Sequence, residues 1–427
     1  MSSNMDHWKQ KVLDCIDEQE LTDLILALSN IPSPFPYEKE AGDYVFEWMK
    51  KEGFEPKRVG MTEDRFSVIG KLKGEGNGYN LLFSSHLDVT GPRGHVTDSW
   101  RFKPENMENP WWQTAKLVDG KFYGQGVNND KGPMACFLIA AKALKKAGVP
   151  LKGDIYLTAC PGEMGQEPVN EFQGPFFHGK DIGAEYMMTH GGIIADYGVA
   201  AEGTDFRVSW VEAGKTFFKI TVTGSWQYTP WAEHPTNFKE HPNAIVKMVP
   251  LIEALERFAE EYERKHTTHY PGGTVVPKVQ IGAIRGGAPF YVSSGCEVCQ
   301  LFVDVRILPG MVPGEVYDEL KQAVAEAGVE AEIELYLFRQ GYHADQEKIQ
   351  PFVEALRKSH QHVLGSELEM TEPKFSSMWR DHNVFNEYGV ASLTYGPTRF
   401  DPTVENMVET AKVYALLALE VGLKEKV

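Results

Sequence analysis

The order of apolar segments along the chain constrains the fold more strongly than any other feature of this sequence. Residues 79–89, 154–159 and 197–201 are short apolar runs of the kind that form buried strands. Residues 132–147 are small and apolar with lysines near the end, a pattern typical of a helix that packs on a sheet. This alternation predicts an α/β fold in which a mostly parallel sheet is covered by helices.

The pattern changes in the middle of the chain. Two helix-like and four strand-like segments there predict a compact two-layer α+β unit; they are residues 243–266 and 313–328, and residues 216–223, 278–284, 298–307 and 331–337. The α/β pattern then resumes, with a strand at 391–395 and a closing helix at 408–423. Because 427 residues exceed what one hydrophobic core normally supports, we predict a catalytic domain of residues 1–213 and 339–427 and an inserted domain of residues 214–338.

Composition and charge argue against several classes of protein. Acidic residues number 60 against 43 basic ones, and the formal charge of −17 disfavours nucleic acid and anionic membranes as partners. The five cysteines are few and scattered, which disfavours a disulfide framework. No apolar run is long enough to span a bilayer, and the first residues lack the pattern of a signal peptide, so we expect a cytoplasmic protein.

A histidine and several carboxylates follow successive predicted strands. His86 and Asp88 are two residues apart at the end of the first strand, so they share one face of it. Glu163 and Glu202 come just after the next two strands. The carboxyl ends of parallel strands meet at one edge of a sheet, where α/β proteins bind ligands. A carboxylate behind a histidine also fixes its tautomer and raises its basicity as a metal ligand.

A further segment, residues 119–132, is rich in glycine, asparagine and aspartate. Its glycines permit tight turns, and its polar side chains can act as oxygen ligands or as caps of the next helix. By itself the segment favours a capped loop without a metal. Together with the strand ends that carry His/Asp, Glu and Glu, it favours a catalytic site.

These segments together resemble the M20 metallopeptidase family, which includes acetylornithine deacetylase, succinyl-diaminopimelate desuccinylase, aminoacylases and carboxypeptidase G-type enzymes. The motifs are Ser-His-Leu-Asp-Val at 85–89, Tyr-Gly-Gln-Gly-Val-Asn-Asn-Asp-Lys-Gly at 123–132, Gly-Glu-Met-Gly at 162–165 and Ala-Glu-Gly-Thr at 201–204. Ile-Arg-Gly-Gly at 284–287 and Asp-Val-Arg-Ile-Leu-Pro-Gly at 304–310 match the inserted domain. The resemblance implies a metal-dependent hydrolase of carbon–nitrogen bonds whose inserted domain is a lid that often mediates dimers.

The resemblance also implies roles for the residues at the strand ends. His86 and Glu202 correspond to ligands of one metal, and Asp88 corresponds to the catalytic aspartate that supports the histidine. Glu163 takes the place of the second residue of the family's Glu-Glu pair, normally a ligand of the other metal. Gly162 takes the place of the first, normally the general base.

The sequence departs from the family pattern at several positions. Asn129 stands where the family has an aspartate that bridges two metals, and a neutral amide is a poor bridge between two dications. Residues 395–403 contain no counterpart of the usual C-terminal histidine ligand. Tyr228 lies near the position of the lid histidine that polarises an amide carbonyl.

These departures predict a centre with one divalent metal ion per subunit. The ligands we expect are His86, Glu202 and either Asn129 or Asp130, with water at the open positions. Histidine with oxygen ligands suits manganese, zinc, iron or cobalt, of which we expect manganese or zinc. Glu163 is then either the base that takes the proton of the metal-activated water or a fourth ligand, and the base role is favoured slightly.

Loss of the usual acid and oxyanion donor favours displacement of ammonia from an electron-poor aromatic ring over amide hydrolysis, because the ring itself spreads the negative charge. The pattern is similar to the aminohydrolases of the family that act on 5-nitroanthranilate. The residues expected to contact such a flat, anionic substrate are Arg285, Arg380, Tyr228, Trp226 and Phe290. The arginines suit a carboxylate or nitro group.

Two other functions stay open at this point. The first is an N-acyl-amino-acid deacylase or dipeptidase that has rebuilt its acid and oxyanion donor from other residues. The second is a catalytically inactive binding protein of the same fold. As partners we expect a small anionic substrate and a homodimer or higher homo-oligomer formed through the lid domain.

Overall fold

The computed structural model of the protein describes residues 2–89 and 115–426. Its helices are α1 (Ser2–Leu13), α2 (Glu18–Ser29), α3 (Lys39–Lys51), α4 (Gly132–Ala147), α5 (Ala184–His190), α6 (Ala244–His266), α7 (Pro313–Ala327), α8 (Gln346–Leu364), α9 (Pro373–Ser376), α10 (His382–Glu387) and α11 (Val404–Gly422).

Its strands are β1 (Lys57–Val59), β2 (Ser67–Leu72), β3 (Leu81–His86), β4 (Lys116–Val118), β5 (Lys121–Tyr123), β6 (Ile155–Cys160), β7 (Tyr197–Ala201), β8 (Val211–Glu212), β9 (Gly214–Thr223), β10 (Thr268–Tyr270), β11 (Gly273–Val275), β12 (Val279–Gly286), β13 (Val298–Ile307), β14 (Ala331–Arg339), β15 (Tyr342–His343) and β16 (Ala391–Tyr395). The described residues form two compact units.

The first unit is built on a sheet with the strand order β1-β2-β6-β3-β7-β16. The pairs β6/β3, β3/β7 and β7/β16 are parallel, whereas β1/β2 and β2/β6 are antiparallel. The predicted α/β class with a mostly parallel sheet is therefore confirmed. Strand β3 is buried along its whole length in the middle of this sheet, so its carboxyl end is flanked by the ends of β6 and β7.

Helix α4 shows why small residues are needed next to this sheet. Almost every one of its side chains is buried, including those of Ala135, Cys136, Ala140 and Ala141. Small side chains let a helix approach its neighbours closely without leaving voids. The helix ends at Gly148, whose φ of 68° is the left-handed conformation that glycine adopts at little cost. Residues 132–147 thus form the helix that their composition predicts.

The closing helix begins at a different residue from the one predicted. The apolar pattern predicts residues 408–423, whereas α11 begins at Val404. The Thr403 hydroxyl caps it by accepting a hydrogen bond from the backbone N–H of Asn406, and the backbone N–H of Thr403 donates to the side-chain oxygen of Asn406. This capping box extends the helix beyond its apolar face.

The second unit is a two-layer α+β structure with its own hydrophobic core. Its antiparallel sheet has the order β12-β13-β9-β14, and α6 and α7 pack against it. The unit comprises Val211–His343 together with Glu372–Trp379. The first unit comprises Met1–Trp210, Ala344–Thr371 and Arg380–Val427. The predicted insertion, residues 214–338, does not include residues 372–379, which belong to the second unit in the structure. The sequence before them has the α/β pattern of the first unit, so the sequence assigns them to that unit.

Within the described residues, no helix combines the length and the apolar composition that crossing a membrane requires.

Candidate metal centre

The ends of three neighbouring strands carry the predicted site residues. His86 is the last residue of β3, Glu202 directly follows β7, and Glu163 lies three residues beyond the end of β6. In the parallel register Ser84 pairs with Ala200, so His86 and Glu202 follow at matching positions. The sheet topology therefore brings these side chains to one edge, as the sequence predicts.

Two of these side chains and that of Asp130 form a cluster of metal-ligand type. His86, Asp130 and Glu202 each offer one ligand atom, and the three atoms lie within 4.8 Å of one another. All three residues are buried. The nitrogen His86 Nε2 lies 3.0 Å from Asp130 Oδ2, in a geometry that makes no hydrogen bond. Converging donors of this kind are what a metal site requires.

The His86 ring is held with Nε2 facing this cluster. Its Nδ1 lies 2.8 Å from the backbone oxygen of Asp88, to which it donates a hydrogen bond. The Asp88 carboxylate is 3.5 Å from Nδ1 and instead accepts from the backbone N–H groups of Glu163 and Met164, at 3.0 and 2.7 Å. Asp88 thus orients the imidazole through its carbonyl and ties the end of β3 to the loop after β6.

The side chains present fit a divalent ion. Among the described residues, His86 Nε2 and both carboxylate oxygens of Asp130 are buried without a hydrogen-bond partner. Leaving buried polar atoms unpaired costs about 1–3 kcal/mol each, and a bound cation would satisfy all three. One imidazole with two carboxylates suits manganese, zinc, iron or cobalt.

Asn129, the alternative ligand, contacts a different partner. Its amide nitrogen lies 3.2 Å from the sulfur of Met164, whereas the next residue, Asp130, supplies an atom to the cluster. The structure therefore brings Asp130 to His86 and Glu202, and metal binding by Asn129 stays a prediction.

Glu163 lies beside this cluster and is paired with a lysine that the sequence analysis missed. Lys180 Nζ is 2.5 Å from Glu163 Oε1, and both side chains are buried. The other oxygen, Glu163 Oε2, is 3.8 Å from His86 Nε2. Lys180 lies in a single helical turn, Lys180–Ile182, whose sequence carries no motif. Only the fold places its ammonium at the site.

Two arginines contact Glu202 from the same unit. Arg380 is buried, and its Nε donates to Glu202 Oε2 at 2.5 Å. Arg399 Nη1 lies 3.5 Å from Glu202 Oε2 and 3.9 Å from Asp130 Oδ1. Burial raises the pKa of Glu202 despite the opposing charge of Arg380. Arg380 therefore binds a carboxylate of the protein itself, and its predicted contact with substrate stays a prediction.

Asp381 is a further carboxyl group that the sequence analysis missed. Burial is the main cause that raises its pKa to about 7, and repulsion from the like charges of Glu163 and Glu202 acts in the same direction. The ammonium of Lys180 opposes that shift. Asp381 precedes α10, so no strand-end pattern marks it in the sequence.

The remaining predicted substrate contacts lie in the second unit. Trp226, Tyr228 and Phe290 are exposed, and Trp226 and Tyr228 form edge-to-face contacts with Trp231. Arg285 is exposed on strand β12. Contact of these four residues with a substrate stays a prediction.

Gly162 marks the place of the family's first glutamate, and its backbone needs glycine. Its φ is +76°, and a Cβ built on it would lie 2.5 Å from the backbone oxygen of Gly179. We expect Gly162→Ala to destabilise the fold by more than the about 1–2 kcal/mol that a positive φ alone costs a residue with a side chain. Denaturant unfolding measures this, with Gly174→Ala as the control.

Gly174 has a similar φ of +82°, but nothing lies within 4 Å of its Cβ position. The two substitutions therefore differ in the backbone clash alone. Equal losses of stability in the two variants would contradict a clash at position 162.

Comparison with known proteins identifies the family. Residues 82–420 match the family described as Peptidase family M20/M25/M40. This chain belongs to that family. It is therefore a metal-dependent hydrolase that acts on carbon–nitrogen bonds, as the resemblance implies.

Individual relatives of this M20 protein are distant. Acetylornithine deacetylase of Vibrio parahaemolyticus is 26% identical over 315 residues, which cover 72% of each chain. Human carnosine dipeptidase 1 has a similar fold, with a TM-score of 0.66, 15% identity, and coverage of 97% of this chain and 98% of that one. A dinuclear metal-binding peptidase of Bacillus subtilis has a TM-score of 0.60 at 16% identity, covering 95% and 98% of the chains.

The charges around His86 in this M20 site predict a pH-dependent metal affinity. Burial lowers the pKa of His86, but the carboxylates of Asp130, Glu163 and Asp88 together raise it well above its usual value. The carboxylates therefore favour the protonated imidazole in the metal-free protein, and a proton and the ion compete for His86 Nε2. We expect metal binding to release protons, and affinity to fall as the pH is lowered.

Calorimetry of metal binding in buffers with different ionisation enthalpies counts those protons. The expected sign is a weaker affinity at lower pH, since protons and the ion compete for Nε2. Binding without proton release near pH 7 would mean that His86 is neutral before the ion arrives.

Proposed function

We propose that the protein is a hydrolase with one divalent ion, manganese or zinc, that releases ammonia from an electron-poor aromatic amine carrying a carboxylate, such as 5-nitroanthranilate. The observation that carries the proposal is the set of charges at the strand ends. A cluster of three ligands stands next to the carboxylate of Glu163, which is paired with Lys180. This arrangement supports one ion and one base.

The backbone at Gly162 supports the choice of reaction. Its close approach to Gly179 leaves no room for the glutamate that the family usually has there. Hydrolysis of an amide benefits from a dedicated acid and an oxyanion donor. Attack on an electron-poor ring depends less on an oxyanion donor, because the negative charge spreads over the ring and its substituents.

The residues have the following roles in this reaction. His86, Asp130 and Glu202 would hold the ion, which when bound would supply a water whose pKa is lowered to about 7. Glu163 accepts a proton from the attacking water, with Lys180 holding its carboxylate. The water oxygen adds to the ring carbon that bears the amine. Glu163 then gives its proton to the nitrogen, and the carbon–nitrogen bond breaks. The products are ammonia and a phenol.

The charge of Arg399 supports an anionic substrate. The Arg399 side chain is 15% exposed, so it retains access to solvent beside the cluster. A guanidinium offers a forked donor that matches a carboxylate. The acidic net charge of the chain does not oppose this, because a local cation dominates at short range.

A second candidate function is the deacylation of an N-acyl amino acid. The similarity to acetylornithine deacetylase favours it. The two candidates differ in their products, since deacylation yields a carboxylate and an amine, whereas the proposed reaction yields a phenol and ammonia.

An assay of products separates these functions. Purified protein loaded with manganese or zinc is incubated with 5-nitroanthranilate, with other aminobenzoates and with a panel of N-acyl amino acids. We expect ammonia from the aromatic amine and its loss after treatment with a chelator. Release of free amino acids without any ammonia would instead establish the deacylase, and a metal-loaded protein inactive on both panels would contradict the proposal.

We also propose that the second unit mediates a homodimer. Strand β12 is at the edge of its sheet, and large apolar side chains near it are exposed: Ile284 by 51%, Phe290 by 93% and Val292 by 81%. An exposed apolar edge strand is a ready surface for strand pairing. We expect a dimer by light scattering and a monomer for Ile284→Lys. A wild-type monomer at micromolar concentration would contradict this.

A further inference from the structure

Lys180 and the metal cluster lie near different oxygens of the Glu163 carboxylate. Lys180 Nζ is 2.5 Å from one oxygen of the carboxylate, and His86 Nε2 is 3.8 Å from the other. Since Nε2 is the nitrogen that faces Asp130 and Glu202, an ion bound to it would have the Glu163 carboxylate as a close neighbour. Glu163 therefore stands where it could either bind the ion or stay outside its coordination shell.

The backbone around Glu163 is held by hydrogen bonds and close packing, so only the side-chain conformation can vary. The N–H groups of Glu163 and Met164 both donate to the Asp88 carboxylate. Gly162 is held in its left-handed conformation against Gly179. The position of Glu163 Cα is thus fixed, and rotation of the side chain decides where its two oxygens lie.

The ammonium of Lys180 influences whether Glu163 binds the ion or stays outside its coordination shell. A short, charge-assisted hydrogen bond between buried groups is strong, and breaking it separates two opposite charges in a buried environment. A carboxylate neutralised in this way gains less from binding a cation. Glu202 is likewise paired with Arg380 and Arg399, yet its oxygen still converges with His86 and Asp130.

We infer that Lys180 is a positioning residue that keeps Glu163 out of the metal coordination shell, so that Glu163 serves as the base and not as a fourth ligand. This inference rests on the proposed function, because it presumes that His86, Asp130 and Glu202 hold the ion.

Cobalt-substituted protein tests the inference directly. The visible ligand-field spectrum of cobalt(II) reports coordination number and geometry, and it is recorded for wild type, Lys180→Met, Lys180→Gln and Lys180→Arg. We expect loss of the positive charge to let Glu163 bind the ion. Absorption intensity should then fall as coordination number rises, and cobalt affinity should increase by about tenfold or more.

Lys180→Arg retains the charge and should keep the wild-type spectrum and affinity. Lys180→Gln keeps a hydrogen-bond donor without the charge and should behave like Lys180→Met. Using both neutral variants keeps the test decisive if one of them fails to fold. In the double variant Glu163→Gln/Lys180→Met the extra ligand is gone, so the spectrum should return towards wild type. Lys146→Met, at an exposed lysine of α4, is the matched control.

An unchanged or weaker cobalt affinity in both neutral variants, with an unchanged spectrum, would overturn the role of Lys180. Failure of the proposed function looks different. In that case the wild type itself binds no ion, or its affinity for the ion is unchanged by His86→Ala.

Discussion

Replacing His86 by alanine is expected to remove both bound metal and turnover. His86 Nε2 is the one nitrogen in the cluster of three ligand atoms, and it is buried without a hydrogen bond. Its loss leaves two carboxylates facing each other with no neutral ligand between them. Because even indirect contacts to a metal are worth about 10–100-fold in affinity, we expect a loss of at least about 100-fold in metal affinity.

The measurement is metal content by mass spectrometry after dialysis, together with turnover at saturating metal. Glu202→Ala should behave in the same way, since Glu202 supplies another atom of the cluster. His190→Ala provides the control, because His190 is an exposed histidine of the same unit. Variants at 86 and 202 that retain full metal content and turnover would refute this metal centre.

Replacing Glu163 by glutamine is expected to have the second largest effect, and the effect should fall on turnover and not on metal content. The amide cannot accept the proton of the attacking water, and general-base catalysis contributes about 100- to 10,000-fold. If Glu163 lies outside the coordination shell, the variant should still bind its ion with the affinity of the wild type. A loss of turnover of that size with unchanged metal content identifies the base.

The same substitution also removes the carboxylate charge that is paired with the buried Lys180, which has its own cost. Removing one member of a buried ion pair typically destabilises a fold by about 3–5 kcal/mol. The variant Glu163→Gln/Lys180→Met removes both charges, so it should be more stable to denaturant than Glu163→Gln and equally inactive. A Glu163→Gln protein that turns over like wild type would exclude this residue as the base, and one that loses its metal would identify Glu163 as a ligand.

Much of the fold follows from patterns that act over short distances. The strand at 197–201 and the helix at 132–147 appear in the structure with the predicted bounds. Burial on both faces of a strand requires an unbroken apolar run, and a helix on a sheet requires small apolar residues, so both features are visible in the sequence. The start of the closing helix is not, because a capping box at Thr403 extends it beyond its apolar face.

The sequence by itself determined that His86, Asp88, Glu163 and Glu202 lie at one edge of a sheet, because each ends or follows a strand and parallel strands share their carboxyl ends. Only the tertiary structure decided which charges surround them. Lys180 comes from a single helical turn that carries no motif, and Arg380 and Arg399 come from segments more than 170 residues beyond Glu202 in the chain. Such contacts have no local period or motif, because they depend on where distant segments pack and not on any pattern within them.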